Sequence, residues 1–278
     1  MTRIATLLTA AAASLAAATA AAQEPQMSVR AAIGVTPEGL TCVLGGISDG
    51  RLVAAEAVAT RMRPGEAYAL VALDEVRGGA VSVGEPVPEP AGEECADAYQ
   101  QDLAGAANLM DRLQVAVAGS AVDVQRMLPN HLEVLPLDDG EAADVVRRFV
   151  AGLGIDEPEV VLKQVVRTDL DGDGTAERLI NAVNTRYENA RKGEYSVLLV
   201  TGDDAIRQPL AIRAEVTAED SDGPSLLWEN TVVAVLDLDR DGVMGIVLHG
   251  AYAFGDGWDV IHAELGEVQR LLSCGCGG

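Results

Sequence analysis

Hydrophobic residues fall in short, β-branched runs along most of the chain, which reads as strands rather than helices. In the first half Met27 to Val35, Thr41 to Leu44, Ala67 to Leu73 and Ala80 to Val83 are such runs. Gln114 to Ala118 and Val122 to Met127 are two more. Pro37-Glu38-Gly39, Ser48-Asp49-Gly50, Pro64-Gly65 and Gly78-Gly79 punctuate them as turns. Pro86, Pro88 and Pro90 predict a stiff, extended stretch. Helical spacing is expected in two places. From Glu93 to about Leu103, the residues Cys95, Ala98, Tyr99 and Leu103 fall on one helical face. From about Glu141 to Ala151, Val145, Val146, Phe149, Val150 and Leu153 form a stripe behind an Asp138-Asp139 cap, with Gly152 or Gly154 as the stop.

The second half repeats the strand pattern. Val160 to Val166, Arg178 to Val183, Tyr195 to Val200 and Ile206 to Val216 are followed by Thr231 to Leu236, Val243 to His249, Trp258 to Ala263 and Glu267 to Leu272. The expected fold is mainly β. A β-rich region over 23–137 precedes an antiparallel two-repeat domain over 138–278, which one helix introduces. Two four-strand units are too few for a closed propeller, so stacked or sandwiched sheets are expected.

Between the first two strands of each repeat lies an acidic run. The first is Asp169-Leu170-Asp171-Gly172-Asp173-Gly174-Thr175-Ala176-Glu177. Carboxylates at loop positions 1, 3 and 5 converge only if the backbone curls round a common point. Gly174 at position 6 allows the sharp turn. Thr175 at position 7 would turn its carbonyl inward, and Glu177 would add another side-chain oxygen. Such a set of hard oxygens suits calcium, Ca2+. Without a cation, two like charges about 4 Å apart repel by roughly 1 kcal/mol in water and roughly 4 kcal/mol near a protein surface. An EF-hand is excluded, because it needs a glutamate at position 12 and helical flanks. Position 12 is Ile180, and both flanks read as strands.

The second run, Asp237-Leu238-Asp239-Arg240-Asp241-Gly242-Val243-Met244-Gly245, places Asp237, Asp239, Asp241 and Val243 at the equivalent positions. Gly245 stands where the closing acid would be, and Arg240 adds a positive charge. Asp256 is a candidate to supply the missing carboxylate. The D-x-D-x-D-G-x-x-E pattern with its flanking strands, from which the second loop departs at Gly245, resembles the FG-GAP/VCBS repeat of integrin-like β-propellers and of bacterial exported proteins. The resemblance covers about residues 158–278, with matching motifs only in the two loops. It implies calcium loops that brace the sheets and lie away from any ligand.

The chain opens with Arg3, an apolar run through Leu7, Leu8 and Leu15, and Ala20-Ala21-Ala22, which reads as a signal peptide spanning 1–22 and cut near Ala22. No second apolar stretch predicts a membrane span. The expected location is periplasmic or secreted. Net charge −23 excludes nucleic acid as a partner, since phosphate is repelled. Aromatics are only 3 % of residues, so no large stacking platform is expected. Cys42, Cys95, Cys274 and Cys276 suggest disulfides in an exported chain, with three pairings open. Cys42 with Cys95 would tie the first region together, and the C-x-C pair reads as a staple because no thioredoxin-like context surrounds it.

No catalytic constellation is legible. His131, His249 and His262 lack zinc spacing, and no G-x-S-x-G elbow or phosphate loop occurs. The function expected is a non-catalytic exported calcium module that binds a protein or glycan. A structural envelope protein with calcium as a folding staple, and a hydrolase with diffuse carboxylates, are the alternatives.

Overall fold

The computed structural model describes residues 29–88, 98–105, 112–185, 191–202, 209–223, 226–264 and 266–275. Residues 1–22, expected to be a signal peptide, Cys95, Cys276 and residues 93–97 of the expected first helix lie outside these. The fold is mainly β. Strands β1 (Val29–Val35), β2 (Thr41–Ser48) and β3 (Arg51–Ala54) precede a short helix α1 (Ala55–Ala59). Then come β4 (Ala67–Ala72), β5 (Glu75–Pro88), β6 (Tyr99–Ala104) and β7 (Gln114–Ala118). Helix α2 (Ala121–Gln125), β8 (Leu132–Val134) and helix α3 (Gly140–Gly152) lead into the repeats. The first repeat holds β9 (Leu162–Thr168), β10 (Glu177–Asn184), β11 (Tyr195–Gly202) and β12 (Leu210–Val216). The second holds β13 (Glu229–Leu236), β14 (Gly245–Tyr252), β15 (Gly255–Glu264) and β16 (Glu267–Gly275).

Three antiparallel sheets result, ordered β3-β2-β1-β7-β4-β5-β6, β12-β11-β10-β9-β8 and β13-β14-β15-β16. The first curls into a half-barrel, until the Gln101 N–H on β6 donates to Thr41 Oγ1 on β2 at 3.0 Å. Its concave side closes over Ile33, Val43, Val58, Met62, Tyr68 and Leu70. The third sheet is the central layer. Val232, Val235, Ile246, Leu248 and Ile261 pack on the second sheet, whereas Val233, Ala234, Leu236, Val247 and Val260 pack on the first. Burial on both faces explains why β13 and β14 read as unbroken apolar runs rather than alternating ones. Truncating a side chain at that level, such as Ile246→Ala, costs about 2–5 kcal/mol.

The edge strand β13 is covered rather than left open. Leu73, just past β4, donates to Val233 O at 2.6 Å and accepts from Val235 N at 3.0 Å. The Gln164 side chain bonds both the N–H and the C=O of Val232, at 2.9 and 3.0 Å. Helix α3 forms as expected. Asp139 accepts from Glu141 N at 2.9 Å and Ala142 N at 3.0 Å, and Val145, Val146 and Val150 pack on Val165, Ile180 and Val197 of the second sheet.

Three expectations are corrected. Tyr99 to Ala104 is strand, not helix. Tyr99 and Leu103 are four residues apart, a spacing that one helix face and one strand face share, and pairing with β5 decides it. Val122 to Met127 begins as helix α2, not strand. Ser120 caps it by accepting from Asp123 N at 3.2 Å, and Val124 and Met127 point inward at helical spacing. A disulfide joins Cys42 on β2 to Cys274 on β16, with a Cα separation of 5.9 Å, so the pairing of Cys42 with Cys95 is not the one formed. It ties the first sheet to the third across 232 residues of chain. In the chain-entropy account such a closure contributes about 5 kcal/mol.

Candidate metal centre

Each acidic run bridges two paired strands, β9 to β10 and β13 to β14, with no helix on either side. The second loop position is the anchor, since Leu170 and Leu238 are both buried. Burying that side chain drives the loop's start into the inter-sheet core and leaves the flanking carboxylates turned outward.

The carboxylate at position 1 then organises the turn. Asp169 accepts from Gly172 N at 2.8 Å and Gly174 N at 3.0 Å. Asp237 accepts from Asp241 N and Gly242 N, both at 3.1 Å. Position 5 caps position 7 in both loops, by Asp173 to Thr175 N at 2.6 Å and Asp241 to Val243 N at 2.8 Å. Positions 4 and 6 have positive φ in both, 76° and 88° at Gly172 and Gly174, 64° and 96° at Arg240 and Gly242. The two loops follow one backbone path.

They also touch. Met244 N donates to Leu170 O at 2.7 Å. A Cβ on Gly172 would stand 2.8 Å from Gly242 O, so that position needs glycine for its conformation and for the close approach. The two candidate sites are therefore neighbours at one end of the interface between the second and third sheets.

Oxygen atoms of Asp169, Asp171 and Glu177 come within 4.8 Å of one another, as do those of Asp237, Asp239 and Asp241. Each group could hold a metal ion, and an all-carboxylate donor set fits a hard cation. Asp173 is outside the first group and is turned to its own loop backbone. Thr175 and Val243, at position 7, have their N–H groups held by Asp173 and Asp241.

The electrostatics follow from this crowding. Burial pushes the Glu177 carboxyl above its ordinary range, and Asp171, Asp169 and Asp173 add to the rise against the bond from Leu170 N, 2.8 Å long. Burial likewise raises Asp239, with Asp241 and Asp237 adding and His262 opposing. A cation in either group would relieve these penalties.

Asp256 does not complete the second site. It bonds His249 Nε2 at 2.9 Å and pairs with Ala251, at the opposite end of β14 from Gly245. The histidine close to Asp239 is His262 on β15, which only strand register could have revealed. Arg240 lines a cavity of about 370 Å3 between its loop and the first sheet, together with Arg30, Asp49, Glu66 and Asp239. Among the described residues no helix is long and apolar enough to cross a membrane. The disulfide is compatible with an extracellular location. No known protein family, curated protein or solved structure matches the chain.

Proposed function

We propose that this protein is an exported, non-catalytic calcium-binding module of the FG-GAP/VCBS type, whose cations brace two sheets so that nearby surfaces can recognise a protein or glycan. One observation carries the reading. Two loops 68 residues apart in sequence share a backbone path, converge three carboxylates each, and lie against one another. Neighbouring acidic clusters repel across their contact unless counter-charge is supplied, and exported chains meet calcium at concentrations that suit sites of roughly 10⁻⁴ to 10⁻³ M. The loop-to-loop contact also favours the reading in which the cation acts mainly as a staple, because it joins the second sheet to the third.

Thermal unfolding of the mature chain in calcium and in chelator is the test. Calcium should raise the melting temperature, and Asp171→Ala should lower it in calcium while barely changing it in chelator. Equal losses in both conditions would assign the carboxylate another role, and no shift with calcium would end the cation reading. Capture of a partner from envelope extract separates recognition from a purely structural role.

A further inference from the structure

At the end of the third sheet away from the acidic loops, three glycines lie side by side. Gly250 on β14 pairs with Gly257 on β15, and Gly257 pairs with Gly275 on β16. All three line a cavity of about 300 Å3, and the missing side chain at Gly250 makes room for an indole against the backbone. That volume is at the small end for a ligand pocket and suits one or two rings.

The indole of Trp228 covers the backbone at Gly250 and Gly257 and forms part of the cavity lining. A Cβ on Gly250 would stand 2.8 Å from its Cε3 atom, and one on Gly257 would be 3.7 Å from Cη2. The residue is held from three sides. Its backbone N–H donates to the Glu215 carboxylate at 2.8 Å, and its backbone carbonyl accepts from Ser196 Oγ and from Asn230 Nδ2, the latter at 3.0 Å. Tyr252 packs against the indole with ring centres 4.6 Å apart. Such a ring is pre-set before any ligand arrives, which lowers the ordering cost of binding.

The wall is polar and planar. Arg213 from β12 bonds Asp259, and Arg270 from β16 approaches the same carboxylate at 3.7 Å with 62 % of its side chain exposed. With Glu215, two guanidinium groups face two carboxylates, so the charges cancel locally although the whole chain carries −23. A charged ligand finds no excess counter-charge here. A neutral ligand with an apolar face and several groups that both donate and accept would match every element. Ring hydroxyls are such groups, and the C–H face of a pyranose is such a face.

We propose that this cavity binds a neutral saccharide unit, with its C–H face on Trp228 and its hydroxyls shared between Arg213, Arg270 and Asp259. The inference deepens the recognition half of the reading above and rests on it only there, since the acidic loops lie at the other end of the sheet. Both tryptophans of the chain line the cavity, so intrinsic fluorescence reports on it. The experiment titrates the mature chain with the methyl glycosides of glucose, galactose, mannose and N-acetylglucosamine, and with glucuronate and glucosamine, in calcium and in chelator.

At least one neutral glycoside should give a saturable emission change. Trp228→Ala should abolish binding measured by calorimetry. Arg270→Ala, at a largely exposed side chain, should weaken it about fivefold. No saturable change with any neutral glycoside in a chain that still melts cooperatively overturns the proposal, as does a response to the charged sugars only. A response in chelator as well as calcium supports the site whatever becomes of the cation. A missing calcium shift with an intact sugar response sinks the cation reading alone.

Discussion

The two acidic loops share a path but not a chemistry. In the first, position 9 is Glu177, which reaches back to join Asp169 and Asp171, and Asp173 is left to cap the backbone. In the second, position 9 is Gly245, and Asp241 both caps Val243 and completes the carboxylate group. The loss of one donor is answered from within the loop rather than by a residue elsewhere. The glycines differ in the same way. The first loop meets its two positive-φ positions with Gly172 and Gly174, whereas the second sets Arg240 at φ 64° and keeps only Gly242. The shape thus depends on the position-1 carboxylate and the buried leucine, which both loops have. The donor set is the part free to vary.

That division is broken most directly at position 1. Asp169→Ala and Asp237→Ala each remove a candidate cation ligand and two bonds to backbone N–H groups. With calcium at about one hundred times the dissociation constant, losing one site removes about 2.7 kcal/mol of linkage, before the lost capping is counted. Asp169→Ala should be the larger loss, because the second loop carries a positive charge, Arg240, that the first does not. Calorimetry of both variants in calcium checks the order, and equal losses would mean that Arg240 does not weaken the second site. In chelator the two should converge on the smaller cost of capping, about 1–2 kcal/mol each.

Glycine at position 4 gives the next effect. Gly172→Ala strains a φ of 76° and drives a methyl group to within 2.8 Å of Gly242 O. Separating the loops should cost about 2 kcal/mol, in chelator as well as in calcium. The equivalent change in the other loop runs the other way. Arg240→Gly relieves a non-glycine residue at positive φ and should gain about 0.5–1 kcal/mol. Chemical denaturation of the two variants measures both. A gain at Gly172 or a loss at Arg240 would show that side-chain contacts, rather than backbone conformation, set these positions.

What the sequence reveals divides along the same line. Local information is legible. The strand flanks of each loop and the Asp139-capped helix α3 stand in the structure as the residue pattern implies, and the 1-3-5 aspartates converge in the second loop, whereas in the first Asp173 turns to the backbone and Glu177 takes its place. Tyr99 and Leu103 misled because their spacing satisfies two periods at once. Val122 and Val124 misled because β-branched composition outweighed the serine cap in front of them. Long-range facts left no local mark. Gly172 meets Gly242 only after two sheets have packed, and the row of Gly250, Gly257 and Gly275 exists only in one strand register. Sparse aromatics argued against a stacking platform, yet Trp228, Tyr252 and Phe254 gather at one end of the third sheet. A low percentage says nothing of where the few are placed.

The smallest effect isolates the closing acid that only the first loop has. Glu177 is held above its ordinary carboxyl range by burial and by its acidic neighbours. In chelator the folded state therefore binds a proton that the unfolded chain has released, over the interval between the ordinary glutamate value and the raised one. Across that interval stability falls as pH rises. Acidification also relieves the general repulsion of a chain at −23, so the wild-type slope alone decides nothing. The difference from Glu177→Gln removes that common part. In chelator the wild type should lose a few tenths of a kcal/mol relative to the glutamine variant as pH rises through the interval, a small amount because solvent reaches the group. In calcium the sign should reverse, since the ionised carboxylate is then a ligand and the amide is a poorer one. The same sign in both media would place Glu177 outside the cation's reach and leave the two loops chemically alike.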